Sequence, residues 1–490
     1  MTSSTQHSET DTVSPTATSA ASSGISATAL LVAGAFFMEY IDGTVIATAL
    51  PQMARSFGVQ AIDLNIGISA YLLTLAMLIP ASGWIAERFG ARNVFGTAVL
   101  IFSGSSLLCG FTHSVTSFVA ARVIQGIGGA LMVPVGRLAV LRTTPKDQLI
   151  TAIATLTWPG LVAPIIGPAL GGFITTYVSW HWIFFINVPL GCIAIFLTWK
   201  LMPNSRQGKA LPFDGLGFAS TGLAMLGMVS ALELCSRESI HLNWIVWLGI
   251  GGLLALGLSI HHLRHASFPL VRLQALQVPS FRVTMCGGFI FRITISSAPF
   301  MLPLMFQVGF GMDAFHAGLL VLAVFAGNLA MKTATTPLIR HYGFRPLLLV
   351  NGVFSVLSLL ACALLTPSTP EIVILITLFI GGLCRSMQFT AISSLAFAEV
   401  PDQEMSSANT LYSASLQLAA GLGVTLGALC IRSGEWLSPH LHLEHLAGSG
   451  FRLGFVLIAL CTAIGLIDMW GLAPNAGETV SKRAVRSKQK

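Results

Sequence analysis

The chain is divided at short intervals into apolar blocks of about 18 to 26 residues, each long enough as a helix to cross ~30 Å of hydrocarbon. This pattern restricts the possible folds more than any other feature. Of the 490 residues, 54% are hydrophobic and 9% are charged, whereas soluble proteins carry roughly 25% charged residues. A soluble core of this size would leave the apolar excess in water, so the excess has to face lipid. The 48 glycines suit the same class, because small residues let membrane helices approach closely.

The polar inventory excludes several functions. The eight cysteines are scattered, with no CxxC pair and no metal-ligand spacing, which argues against disulfides and zinc. His261, His262 and His265, and His440, His442 and His445 beside Glu444, read as solvated loop positions, and no metal site is expected. The net charge of +7 resides mostly in short loops and the C-terminal tail, so it does not indicate a nucleic-acid partner. No P-loop, phosphate cradle, zinc motif or nucleophile elbow is present. Neither an enzyme nor a bound cofactor is expected.

The apolar blocks predict an all-α membrane protein with about fourteen spans, near 25–49, 65–86, 94–113, 117–141, 150–174, 182–202, 214–233, 243–262, 282–306, 315–337, 346–366, 371–396, 405–430 and 451–471. Lys and Arg are unevenly divided between the two loop sets. With the N-terminus in the cytoplasm, the inner side carries Arg88, Arg92, Arg142, Lys146, Lys200, Arg206, Lys209, Arg264, Arg272, Arg340, Arg345, Lys482, Arg483, Arg486, Lys488 and Lys490. The outer side has only Arg55, Arg237, Arg432 and Arg452. Both termini are therefore expected in the cytoplasm. Residues 1–24, rich in Ser and Thr without Lys or Arg, read as a disordered tail. The organisation expected is a six-helix bundle over 25–202, two inserted helices with linkers over 203–281, a second six-helix bundle over 282–471 and a basic tail over 472–490.

A weak internal repeat supports two bundles. GWIAERFGAR (Gly83 to Arg92) and TPLIRHYGFR (Thr336 to Arg345) share an apolar third residue, an aromatic seventh, Gly at the eighth position and Arg at the tenth. Each opens a short basic loop. Duplicated bundles place a substrate site between them, near mid-membrane.

Four motifs carry a family resemblance. GWIAERFGAR, with Gly83, Glu87, Arg88, Gly90 and Arg92, resembles the helix 2–3 loop motif of the major facilitator superfamily. The run from Arg122 through Gln125, Gly126, Gly128 and Gly129 resembles its fourth-helix motif. Pro164, Gly167, Pro168, Gly171 and Gly172 fall in a stretch similar to its fifth-helix antiporter motif. Asp42 to Pro51 is similar to the first-helix motif of the fourteen-helix drug:proton antiporters. Their order and spacing agree over residues 25–471. The resemblance implies two six-helix bundles plus two extra helices, alternating access and proton-driven export. Glu87, Ala91 and Ala163 depart from the family pattern; Glu87 in place of Asp implies a less tightly latched gate.

Read as chemistry, Glu39 and Asp42 are the most informative residues. They lie three apart in helix one, on one face, and an acid within the membrane marks an ion or proton path by default. The resemblance makes Asp42 the proton site, Glu39 a substrate ligand or second proton carrier, and Arg122 their cationic partner. The glycines and prolines of helix five read as close packing and bending. Arg292, Lys332 and Arg385 also fall within spans. Lys332 lies near the inner end, where it either snorkels to the interface or joins the other two. With Asn328 and Gln388 as polar handles, Arg292 and Arg385 suggest a cavity acidic on helix one and basic opposite, suited to an anionic or zwitterionic substrate. The competing reading pairs these cations with Glu39 or Asp42 across the bundle.

The function expected is proton-coupled export of a drug or small metabolite by a monomer in lipid, in a bacterial cytoplasmic membrane. Proton-coupled uptake of a nutrient or organic acid is the alternative on the same fold. A membrane receptor or sensor is the alternative from another class.

Overall fold

A computed structural model describes residues 27–144, 149–203, 212–235, 242–270, 272–401, 404–443, 446–474 and 476–477. The expectations for tails 1–24 and 478–490, and for Lys146, Arg206, Lys209, Arg237, Glu444 and His445, lie outside these residues. Fourteen long helices follow one another: α1 Ala27–Phe57, α2 Asn65–Phe89, α3 Ala91–Gly110, α4 Val115–Thr143, α5 Leu149–Tyr177, α6 Trp182–Leu201, α7 Gly215–Cys235, α8 Leu242–His265, α9 Pro279–Gly309, α10 Ala314–Tyr342, α11 Phe344–Ala363, α12 Glu371–Ala398, α13 Met405–His440 and α14 Ser449–Trp470. Thirteen of them are long and apolar enough to span a bilayer; the described apolar part of α5, Val162–Tyr177, is shorter. No strand occurs among the described residues. This is the architecture that lipid requires, because a helix satisfies its own backbone donors and acceptors where no water can.

Several helices outrun the sequence expectation. α1 continues through Pro51 to Phe57, and α13 reaches His440 rather than stopping near 430. Hydropathy falls off where a helix leaves the hydrocarbon, but helical geometry does not. The side of the molecule that begins α1 and ends α14 is called here the terminal side, and the opposite one the distal side.

Helices α1–α6 form one group and α9–α14 another, with α1 on α5, α2 and α3 on α4, and α3 on α6 in the first. In the second, α9 packs on α13, α10 and α11 on α12, and α11 on α14. The groups meet along α2–α13 and α5–α10. The helix-five glycines make these contacts: a β-carbon at Gly167 or Gly171 would collide with Thr44 or Thr48 of α1. One at Gly172 would strike the Ala314 backbone of α10, while Gly318 meets Pro168 in return. One helix therefore packs its own group and seals part of the seam.

The loop repeat has a structural counterpart. Gly90 (φ +88°) ends α2 and Gly343 (φ +79°) ends α10, each one residue before the next helix. Both occupy backbone conformations that a β-carbon opposes. Arg92 stacks at 5.1 Å over Trp199 of α6, and Arg345 Nη2 donates to the Trp470 carbonyl of α14 at 3.0 Å. In both groups the tenth residue of the repeat thus ties its loop to a tryptophan at the end of that group's last helix.

The hairpin α7–α8 stands beside α2 and α13. Asp214 fastens its open end by accepting the Gly217 N–H (2.8 Å), the Leu270 N–H (2.9 Å) and a contact from His262 Nε2 (2.7 Å). Burial pushes the Asp214 carboxyl up, but these hydrogen bonds and the imidazole outweigh it and hold it below its ordinary value.

Two expectations follow. Gly90→Ala and Gly343→Ala should each cost about 1–2 kcal/mol, read as a lower melting temperature of the detergent-solubilised protein. The Asp214 clip contributes stability above the ordinary carboxylate pKa of about 3.9 and loses it as pH falls through the lowered folded value. An acid titration of hairpin protease accessibility should therefore show protection retained at pH 5, with Asp214→Asn exposed throughout.

Candidate functional site

The interior of the first group contains a closed polar cluster. α1 supplies Asp42, α2 Tyr71, α3 Ser106, α4 Arg122 and Gln125, and α6 Asn187. Arg122 Nη1 donates to Asp42 Oδ2 (2.7 Å) and Gln125 Oε1 (2.6 Å). Gln125 Nε2 donates to Asp42 Oδ1 (2.9 Å) and Ser106 Oγ (2.8 Å); Asn187 Nδ2 donates to the same two atoms at 3.0 and 2.9 Å. The guanidinium carbon of Arg122 sits over the Tyr71 ring, 4.3 Å from its centre. The Asp42 and Arg122 side chains are 1% and 0% exposed, so water does not screen the pair. Three donors converge on one carboxyl group, one on Oδ2 and two on Oδ1.

Glu39, one turn earlier on α1, is buried and directed toward Tyr71, and its Oε2 has no hydrogen-bond partner. A β-carbon at Gly129 of α4 would stand 3.0 Å from Tyr71 Oη and 3.4 Å from Glu39 Oε1. The glycine therefore leaves room for the acid and phenol to sit together. Tyr71 thus separates Glu39 from Arg122 and contacts both.

A cavity of about 200 Å³ lies between the groups, lined by Thr44, Thr48 and Leu72 of the first and Phe300, Phe325 and Val424 of the second. Of the six residues assigned to a cavity from sequence, Arg385 alone lines it. Asp42 and Glu39 are turned into the first group. Arg292 is buried beneath Tyr412, 4.7 Å from its ring, and donates to the Thr284 carbonyl (3.0 Å). Gln388 accepts from Asn351 Nδ2 (2.9 Å) and donates to the Leu348 carbonyl (3.2 Å), tying α12 to α11. Asn328 is half-buried on α10. Lys332 is exposed and donates to Thr390 Oγ1 at 3.1 Å. The cavity is therefore not acidic on one side and basic opposite, since helix one presents threonines to it. Of the loop motif, Gly83 and Arg88 are exposed and Glu87 half-buried near the terminal end of α2, while Pro164 and Pro168 lie inside α5.

The seam is bonded toward the distal side. Asp63 beside α2 pairs with Arg432 of α13, Gln307 Nε2 donates to the Thr48 carbonyl (3.2 Å), and Phe315 N donates to Thr176 Oγ1 (3.2 Å). Ser69 of α2 and Thr425 of α13 share a hydrogen bond of 2.9 Å. The inserted hairpin joins this seam through Glu233, whose Oε2 accepts from Asn65 of α2 (3.0 Å) and Thr425 of α13 (3.3 Å). Sequence reasoning missed Glu233 because it was the last residue of the expected span; two more helical residues mark it as an acid within the membrane. It also missed Gln125, Asn187 and Ser106 as partners of Asp42. Their signal was weak: amides and a hydroxyl within apolar runs, of which only Gln125 lay in a motif.

Among the described residues, two matched groups of six helices around a shared cavity, with a further helical hairpin beside them, define a transporter architecture. The sequence matches the Major Facilitator Superfamily over residues 32–424 and 284–489, and the chain belongs to that family. It is 38% identical over 420 residues to the "Putative multidrug resistance protein MdtD" of Pectobacterium carotovorum, covering 86% of this chain and 89% of that one. The protein of the same name from Salmonella paratyphi A is 34% identical over 442 residues, with 89% and 91% covered. Among solved structures, a D-xylose-proton symporter superposes with a TM-score of 0.63 at 15% identity, covering 92% of this chain and 98% of that one. An auto-inhibited POT family peptide transporter gives 0.66 at 14%, with 90% and 96% covered. At these identities the structural likenesses concern the fold.

The cluster makes a graded prediction. Asn187→Ala removes one of three donors to Asp42 and should cost about 1 kcal/mol. Asp42→Ala strands a buried guanidinium and should cost about 3–5 kcal/mol. Thermal melting of the two variants checks the ranking.

Proposed function

We propose that this chain is a proton-coupled exporter of drugs or small metabolites, working by alternating access as a monomer in a bacterial cytoplasmic membrane, with both termini in the cytoplasm. The observation that carries the reading is the Asp42–Arg122 pair, fully buried and held by three donors. Such a pair is costly in low dielectric unless both charges are present. A proton on Asp42 cancels one charge and removes an acceptor, which frees Arg122 and loosens α1 from α4 and α6. Glu39 and Tyr71 stand on the terminal flank of the same cluster and offer a second place for the proton. The distal bonds at Asp63–Arg432, Thr48–Gln307 and Ser69–Thr425 are those that outward opening has to break.

Export, rather than uptake, is supported by the relatives named for multidrug resistance. The excess of Lys and Arg in the loops of one side supports the orientation.

The test is solute accumulation in inverted vesicles under an imposed proton gradient. Wild type should accumulate at least one solute of a panel holding a cationic dye and an organic anion. Asp42→Asn should lose the gradient-driven component, and Glu39→Gln should reduce it. Transport indifferent to the gradient and to both acids would reduce the pair to a structural role.

A further inference from the structure

The central cavity contains a charge without a counter-charge. Among the described residues, Arg385 is the one ionisable residue lining it; the remaining wall is Thr, Ser, Pro and apolar side chains from α1, α2, α5, α9, α10 and α13. The hydroxyls of Thr44 and Thr48 are turned to their own helix, donating to the carbonyls of Tyr40 (2.9 Å) and Val45 (2.8 Å). The buried Nη1 of Arg385 has no hydrogen-bond partner among the described residues, and no carboxylate is among those lining the cavity with it. On its other flank Arg385 lines an apolar cavity of about 50 Å³ inside the second group.

The first group provides the contrast. Arg122 and Gln125 stand three apart on α4, and Arg385 and Gln388 repeat that spacing on α12, about two turns deeper from the distal end of the helix. On α4 a carboxylate from helix one meets the arginine. On α12 the glutamine is engaged with Asn351 and Leu348, and the facing stretch of α9 offers Ser296 and Pro299. A buried guanidinium nitrogen without a partner is costly, and the planar donor fork of the group matches a carboxylate.

We infer that Arg385 is the recognition residue of the central cavity, and that the molecule carried is a small organic anion, a carboxylate on a compact and largely apolar body. This rests on the transporter reading above and specifies its substrate class. About 200 Å³ accommodates an aromatic monocarboxylate, and Phe300 and Phe325 supply apolar wall for its ring. Asp42 is paired internally and does not oppose the anion's charge. A lipophilic cation in the same cavity would meet Arg385 as a like charge.

The experiment uses the full chain in nanodiscs. Binding is measured for salicylate, for its neutral analogue salicylamide and for tetraphenylphosphonium, with melting curves for every variant. Salicylate should bind about 10- to 100-fold more tightly than salicylamide, as expected for one charge-assisted hydrogen-bonded pair. Arg385→Gln should abolish that preference, and Arg385→Lys should restore part of it. Ser296→Asp, which places a carboxylate on the same cavity, should abolish salicylate binding without touching Arg385. Tetraphenylphosphonium bound as tightly as salicylate, or salicylate affinity unchanged in both Arg385→Gln and Ser296→Asp, would overturn the inference. The two readings fail separately. Gradient-driven, Asp42-dependent movement of cations with Arg385→Gln unaffected removes the anion inference alone. Arg385-dependent salicylate binding without any gradient-driven transport removes the exporter reading alone.

Discussion

A charge inside hydrocarbon has to be paired, and the buried pair of Asp42 and Arg122 organises much of the first helical group. Five elements converge on it, because polar groups in low dielectric need partners, although Arg122 Nε and Nη2 and Asn187 Oδ1 have none among the described residues. Gln125 and Asn187 fill the carboxylate's acceptor sites, Ser106 takes their second protons, and Tyr71 covers the guanidinium. In the proposed cycle, changing the protonation of Asp42 alters contacts among α1, α3, α4 and α6 together. A single proton thereby gains a lever on helix packing.

The second group applies the same constraint differently. Arg292 donates to a carbonyl beneath the face of Tyr412, Lys332 reaches a hydroxyl at the surface, and Arg385 faces the cavity. The two groups share a loop repeat, with its left-handed glycine and its arginine held by a tryptophan, but they do not share a carboxylate on the first helix. Within the proposed cycle, this asymmetry assigns proton handling to one group and solute recognition to the other.

Between them lies a seam closed by close packing at α5–α10 and by polar bonds at α2–α13. Glu233 brings the α7–α8 hairpin into that seam by accepting from both sides. The two additional helices are therefore more than a spacer. They place an acid where the groups have to separate.

The architecture was legible in the sequence because it follows from local properties: span length, hydropathy and the requirement that backbone groups in lipid bond within a helix. Glu39, Asp42 and Arg122 were legible for a related reason, since any ionisable group within an apolar run is costly and so conspicuous. The partners were not legible. Gln125, Asn187 and Ser106 carry no charge, and only helix packing shows that they meet at Asp42. Nor does a sequence say toward which side of a helix a cation is directed: Arg292 and Arg385 looked alike, yet one lies beneath Tyr412 and the other on the cavity wall. Burial and pairing depend on side chains from distant helices, and the tertiary structure alone decides them.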